Sequence, residues 1–201
     1  MMSTFDFLVE SYRTERLKTL SVWSQVPDAQ MEFRPEPRAR TPHEHMVHQC
    51  VSEENWMKNM LGIAVTRPPL PAVENRLAFL EHYAAASLER LGILEGQADD
   101  WFAAETRFFD VPRSRAWVLT RRLTHSAHHR GQLTVYLRIW GQALYSTYGP
   151  TADTGGLFQH GAPVIYRYDS IEQLLASEAS GGASPVLPGP GAHSPTERPK
   201  A

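Results

Sequence analysis

Apolar positions recur at helical spacing in four long stretches of the chain. From Thr4 to Gln25, the residues Phe5, Leu8, Tyr12, Leu17, Leu20 and Trp23 approximate one stripe. Glu10, Arg13, Glu15, Arg16 and Lys18 fill most of the other faces. Pro27, Pro35 and Pro37 then force an extended connection. Thr41-Pro42-His43-Glu44 predicts the next helix start, with Thr as N-cap, Pro at the first helical position and Glu closing a capping box. That helix is predicted to run to about Leu61-Gly62, before Pro68, Pro69 and Pro71. A third runs from about Val73 to Gly96, with Leu77, Leu80, Tyr83, Ala84, Leu88, Leu91 and Leu94 on its apolar face. The fourth starts behind Ser114 as N-cap and extends from about Arg115 to Trp140, ending at Gly141. In the link before it, Trp101, Phe102, Phe108 and Phe109 read as core plugs, and 107–111 as a short strand only in second place. A Gly/Pro/Tyr-rich stretch, Tyr145 to Tyr168, has no helical period. Asp169-Ser170-Ile171-Glu172 opens one short helix to about Ala179.

Four amphipathic helices joined by short or medium links predict an all-α protein, a four-helix bundle with an irregular C-terminal extension. The predicted domain spans 1–180. Residues 181–201 are rich in Gly, Ser, Pro and Ala, bury too little apolar surface to offset ordering entropy, and read as a flexible, disordered tail. A length of 201 residues suffices for one core without staples. The net charge of −2 offers no pull toward nucleic acid. No apolar run reaches bilayer length, so no membrane association is expected. The start of the chain lacks the basic and apolar segments of a secretory signal, and the single Cys50 rules out an intrachain disulfide framework; a cytoplasmic protein is expected.

Candidate chemistry enters with Thr124-His125-Ser126-Ala127-His128-His129-Arg130-Gly131-Gln132. His125 and His129, four residues apart on a helix, lie one above the other on one face, where two imidazoles can grip one divalent ion. Nine histidines in 201 positions give on the order of half a pair at this spacing by chance, so spacing alone does not make a site. The pair also shares a seam with Arg121, Gln132 and Tyr136. A polar seam buried in a bundle needs partners, and a metal would supply them. A third ligand should come from the second helix, which offers His43, His45 and His48. His48 is deepest, flanked by Val47 and Val51; His45 is its competitor, and His43 lies toward the solvated end. Three imidazoles leave a coordination position free, as in catalytic metal sites. Zinc, nickel, iron and manganese all accept such donors. Ser126 stands where a zincin would carry its glutamate, so a hydrolytic base would have to come from elsewhere, with Glu53 and Glu54 as guesses. Cys50 reads as a buried small hydrophobe.

The segment His125 to Gln132, preceded by Ser114-Arg115-Ala116-Trp117-Val118-Leu119, resembles the last-helix signature of the DinB/YfiT-like family. Thr41 to His48, followed by Glu53-Glu54-Asn55-Trp56, resembles its second-helix signature. The resemblance covers about residues 4 to 142. It implies a four-helix bundle, a divalent metal (zinc or nickel foremost, iron or manganese next) held by His48, His125 and His129, and a homodimer. Relatives include transferases using low-molecular-weight thiols and hydrolases, so it implies a thiol or small-molecule substrate without choosing a reaction. The alternative is a non-catalytic metal-binding or stress-related binding module. A cavity beside the metal would favour the enzyme, and a plugged site the module.

Overall fold

The computed structural model describes residues 3–182, 184–194 and 196. Its helices are α1 (Asp6–Ser24), α2 (Pro42–Leu61), α3 (Arg76–Glu95), a short α4 (Asp99–Ala103), α5 (Arg115–Ile139) and α6 (Ile171–Ala179). Strands β1 (Glu105–Phe108) and β2 (Val111–Ser114) form an antiparallel hairpin ahead of α5, with Glu105 opposite Ser114 and Phe108 opposite Val111. The architecture is all-α apart from this hairpin, and the described residues fall into two compact units that divide after Gln132.

In the first unit the long helices form where their ends are capped. Thr41 Oγ1 accepts from Glu44 N while the Glu44 carboxylate accepts from Thr41 N at 2.9 Å, the reciprocal pair read from the sequence. Gly62 closes α2 at φ 73°, a conformation that costs glycine nothing. Asn75 caps α3 through Ala78 N, so that helix begins at Arg76 rather than Val73. One core is shared by Leu8 and Tyr12 of α1, Met57 and Leu61 of α2, Leu91 and Leu94 of α3, Phe102 of α4, and Val118 and Leu119 of α5. Of the aromatic plugs expected in the link, Phe102 is buried, Trp101 and Phe108 are half-buried, and Phe109 is 67% exposed at the hairpin tip. The link holds two strands instead of the single one read over 107–111, whose middle is the turn Phe109-Asp110, and this turn points Phe109 outward.

A second, polar stratum runs through the first unit. Glu53 of α2 is 1% exposed and accepts from Tyr12 Oη at 2.6 Å and Tyr83 Oη at 2.9 Å. Arg90 reaches both Glu53 (3.4 Å) and Glu54 (2.7 Å), and Arg122 Nε lies 3.7 Å from Glu53. Two buried carboxylates thus face two buried guanidinium groups. Burial alone would push the Glu53 carboxyl up, but Arg90 and Arg122, with the two tyrosine hydroxyls, outweigh it and hold the group below its ordinary value. Arg130, also fully buried, pairs with Glu15 at 2.5 Å.

The second unit begins with the end of α5. Asp153 accepts from Leu144 N and pairs with Arg138 at 2.5 Å. Ser170 caps α6 through Gln173 N, and Tyr168 donates to Glu178 at 2.6 Å. From the segment expected to be a disordered tail, Pro185 O accepts from Tyr145 Oη at 2.6 Å and Gly189 N donates to Asp153 O at 2.9 Å. Positions 183, 195 and 197–201 of that segment lie outside the described residues. Among the described residues, no helix is long and apolar enough to cross a membrane.

Candidate metal centre

His48 sits in the middle of α2; His125 and His129 sit one turn apart on α5. The fold brings all three together inside the first unit. His125 Nε2 lies 3.4 Å from His48 Nε2 and 3.2 Å from His129 Nε2. One donor atom from each ring lies within 4.8 Å of the others, and this cluster contains no carboxylate or thiol. His129 is buried, and His48 and His125 are half-buried.

These separations discriminate between two accounts of the cluster. Imidazole nitrogens bound to one tetrahedral ion at 2.0–2.1 Å stand about 3.3–3.4 Å apart. Hydrogen bonding among the neutral rings cannot satisfy the same geometry. His129 Nδ1 lies 2.8 Å from Gln132 Oε1, which can only accept, so the ring proton sits on Nδ1 and Nε2 presents a lone pair. His125 Nε2 has both other rings as neighbours and carries at most one proton. One shared cation satisfies all three nitrogens, and the residues present therefore fit a divalent metal. Gln132 supplies the kind of outer hydrogen bond that would fix the His129 ring as a ligand. His125 Nδ1 is buried without a hydrogen-bond partner among the described residues.

The surroundings keep the rings neutral. Burial foremost, then the positive charge of Arg122, lowers His125 to about 3. Burial lowers His129 to about 4, against the opposing effect of the hydrogen bond it donates to Gln132, and His48 is lowered by burial with Arg40 and Arg122 assisting. In the metal-free protein these rings resist protons that the unfolded chain accepts near its ordinary imidazole value of about 6.5. Stability is therefore full above that value and falls as pH drops from there toward 4 and 3. Urea melts of chelator-treated protein at pH 7.5 and 5 should show a lower midpoint at pH 5, and His129→Gln should shrink the difference.

The other sequence candidates fall outside the cluster. His43 Nε2 lies 2.6 Å from Glu74. His45, the competitor of His48, is 2% exposed with its ring 5.3 Å from that of His129, but the three-histidine group does not include it. Glu53 and Glu54, guessed as bases, are occupied by Arg90, Arg122 and the tyrosines. Cys50 is buried, and burial pushes its thiol pKa up, so it is no nucleophile.

Arg122 and Trp56 were not legible as site residues. The buried Arg122 guanidinium donates to Ser52 Oγ (2.8 Å) and Ser126 Oγ (3.0 Å), tying the two ligand helices together beside the histidines. It also lies over the Trp56 ring at 5.6 Å. Trp56 packs 5.2 Å from the His125 ring. The i, i+4 spacing of Arg122 and Ser126 was the one available signal for the first of these contacts. His48 and Trp56 further line a cleft of about 520 Å³, together with Val51, Ser52, Asn55, Asn59, Met60 and Phe109.

The family model for the DinB family matches residues 1–156. The chain belongs to the DinB family. Two solved DinB-like proteins share the fold. The one from Bacillus cereus ATCC 10987 has a TM-score of 0.64 at 18% identity, covering 74% of this chain and all of its own. The one from Bacillus subtilis has a TM-score of 0.55 at 15% identity, covering 69% of this chain and 94% of its own. Comparison with curated proteins finds no match. For this DinB-family chain, membership and a three-histidine group able to take a metal ion therefore stand together.

Proposed function

We propose that the protein is a metal-dependent enzyme of the thiol S-transferase type, with His48, His125 and His129 as the ligands of one divalent ion. The observation that carries this reading is the convergence of three imidazoles, with His125 Nε2 3.4 Å from His48 Nε2 and 3.2 Å from His129 Nε2, beside an open cleft. Such an ion, when bound, supplies a Lewis acid that stabilises a thiolate or a hydroxide at neutral pH. The protein's part is positional. Gln132 holds the proton of His129 on Nδ1 and aims its lone pair inward. Arg122 clamps α2 to α5 through Ser52 and Ser126. The cleft supports an enzyme over a non-catalytic binding module, because a plugged site would need no such space.

Thiol transfer is favoured over hydrolysis by the state of the nearby carboxylates. Attack by water needs a base to take a proton, and Glu53 and Glu54 are committed to ion pairs. A thiol gives up its single proton far more readily. In the proposed reaction the sulfur forms a bond to an electrophilic carbon, the carbon's bond to its leaving group breaks with the electron pair, and the thiol proton passes to solvent. Incubation of zinc- or nickel-loaded protein with a small thiol and an alkyl halide should give metal-dependent loss of free thiol, removed by chelator. Turnover of activated esters with no thiol consumption would favour the hydrolase instead. The same proposal includes the homodimer implied by the family resemblance, with a solution mass near twice the 22.7 kDa chain.

A further inference from the structure

The cleft beside His48 has a wall that the metal centre does not use. Phe109 is the only described non-glycine residue with positive φ, at 52°. It occupies the two-residue turn between β1 and β2, where glycine or asparagine would meet no penalty. There the phenyl ring is 67% exposed yet lines the cleft. An exposed aromatic in a costly backbone conformation is held there by its surroundings. Phe108, next to it, packs edge-on at 4.8 Å and against Trp56 at 5.1 Å. Trp56 stands 6.4 Å from Phe109 on one side and 5.2 Å from His125 on the other. A continuous aromatic surface thus leads from the histidine cluster to the hairpin tip. Val51 and Met60 add apolar lining, and Asn55 supplies a polar group. The volume, about 520 Å³, lies within the range of small-molecule pockets.

We propose that Phe109 and Trp56 form the recognition wall for the non-reacting part of the substrate, and that this part is a flat apolar ring carried on the group that meets the histidines. The assignment rests on the metal-site reading above and names its substrate class: small molecules bearing an aryl or similarly planar group. Trp56 also supports His125 and Arg122, so Phe109 is the residue to vary.

Acetohydroxamate and benzohydroxamate share a metal-binding head and differ in a methyl against a phenyl group. Calorimetric titration of zinc-treated protein should show benzohydroxamate binding about tenfold more tightly, the scale of one aromatic contact plus its buried area. Phe109→Gly should reduce the preference to about twofold or less, with unchanged zinc content. Its melting temperature should equal or exceed that of the original protein, because glycine adopts this φ freely. Equal affinities, a preference that survives Phe109→Gly, no binding of benzohydroxamate, or a lowered melting temperature in Phe109→Gly overturns the proposal. Zinc content reads the metal proposal separately. A protein that takes up no zinc yet prefers the phenyl compound in a Phe109-dependent way refutes the metal centre and leaves the aromatic wall standing.

Discussion

Replacing His129 with alanine is expected to abolish stoichiometric divalent-metal binding. The side chain is buried, its Nε2 faces His125 Nε2 at 3.2 Å, and its Nδ1 is already held by Gln132. Removing it leaves two imidazoles, and a chelate of three becomes one of two. Under saturating metal the intact protein gains stability by mass action, about 2.7 kcal/mol when the free ion is a hundredfold above its dissociation constant. His129→Ala should lose that increment entirely, so its melting temperature should not respond to zinc. His125→Ala should behave likewise. His43→Ala should keep full metal content, since that ring is engaged with Glu74 away from the cluster. Elemental analysis of dialysed samples, read beside thermal melts with and without chelator, checks the series. Full metal content in His129→Ala would show that the ion sits elsewhere.

The second large effect lies behind the site. Glu53→Ala removes the carboxylate on which Tyr12, Tyr83, Arg90 and Arg122 converge. Breaking one partner of a buried ion pair strands the opposite charge, at a cost of about 3–5 kcal/mol. Here Arg90 keeps Glu54 while Arg122 keeps its serine hydroxyls and the Trp56 face but loses its carboxylate, so Arg122 should bear most of the cost. Because Arg122 joins Ser52 to Ser126, metal affinity should fall along with stability. The pH sign is that of a depressed carboxyl. The contribution of Glu53 is present above the ordinary glutamate value of about 4.3 and is lost as pH falls below it. Urea denaturation at pH 7 measures the loss; a change under about 1 kcal/mol would show that the network is solvated rather than buried.

The long helices and their caps were legible because their signals are local. Thr41 and Glu44 stand three residues apart and satisfy each other's backbone donors, whatever the rest of the chain does. His125 and His129 were legible as a pair for the same reason, since helix geometry alone puts them on one face. Their convergence with His48 spans 77 residues and depends on how α2 meets α5, which no local pattern encodes. The same limit hid the Glu53 network, whose members come from α1, α2, α3 and α5. The hairpin was not read as such, and only one strand over 107–111 was offered, because four-residue strands give too few periods to stand out. Phe109 was taken for a core residue on hydrophobicity, whereas the turn it occupies points it outward. Hydrophobic type gives the odds of burial and not its direction.

X-ray absorption at the metal edge of zinc-loaded protein tests the three-histidine centre most directly. The expected spectrum has imidazole outer-shell scattering from three rings, with nitrogen neighbours at about 2.0–2.1 Å and one further light ligand or sulfur. A shell of oxygen donors without imidazole signature, or an ion bound as strongly after His48, His125 and His129 are all replaced, would contradict it.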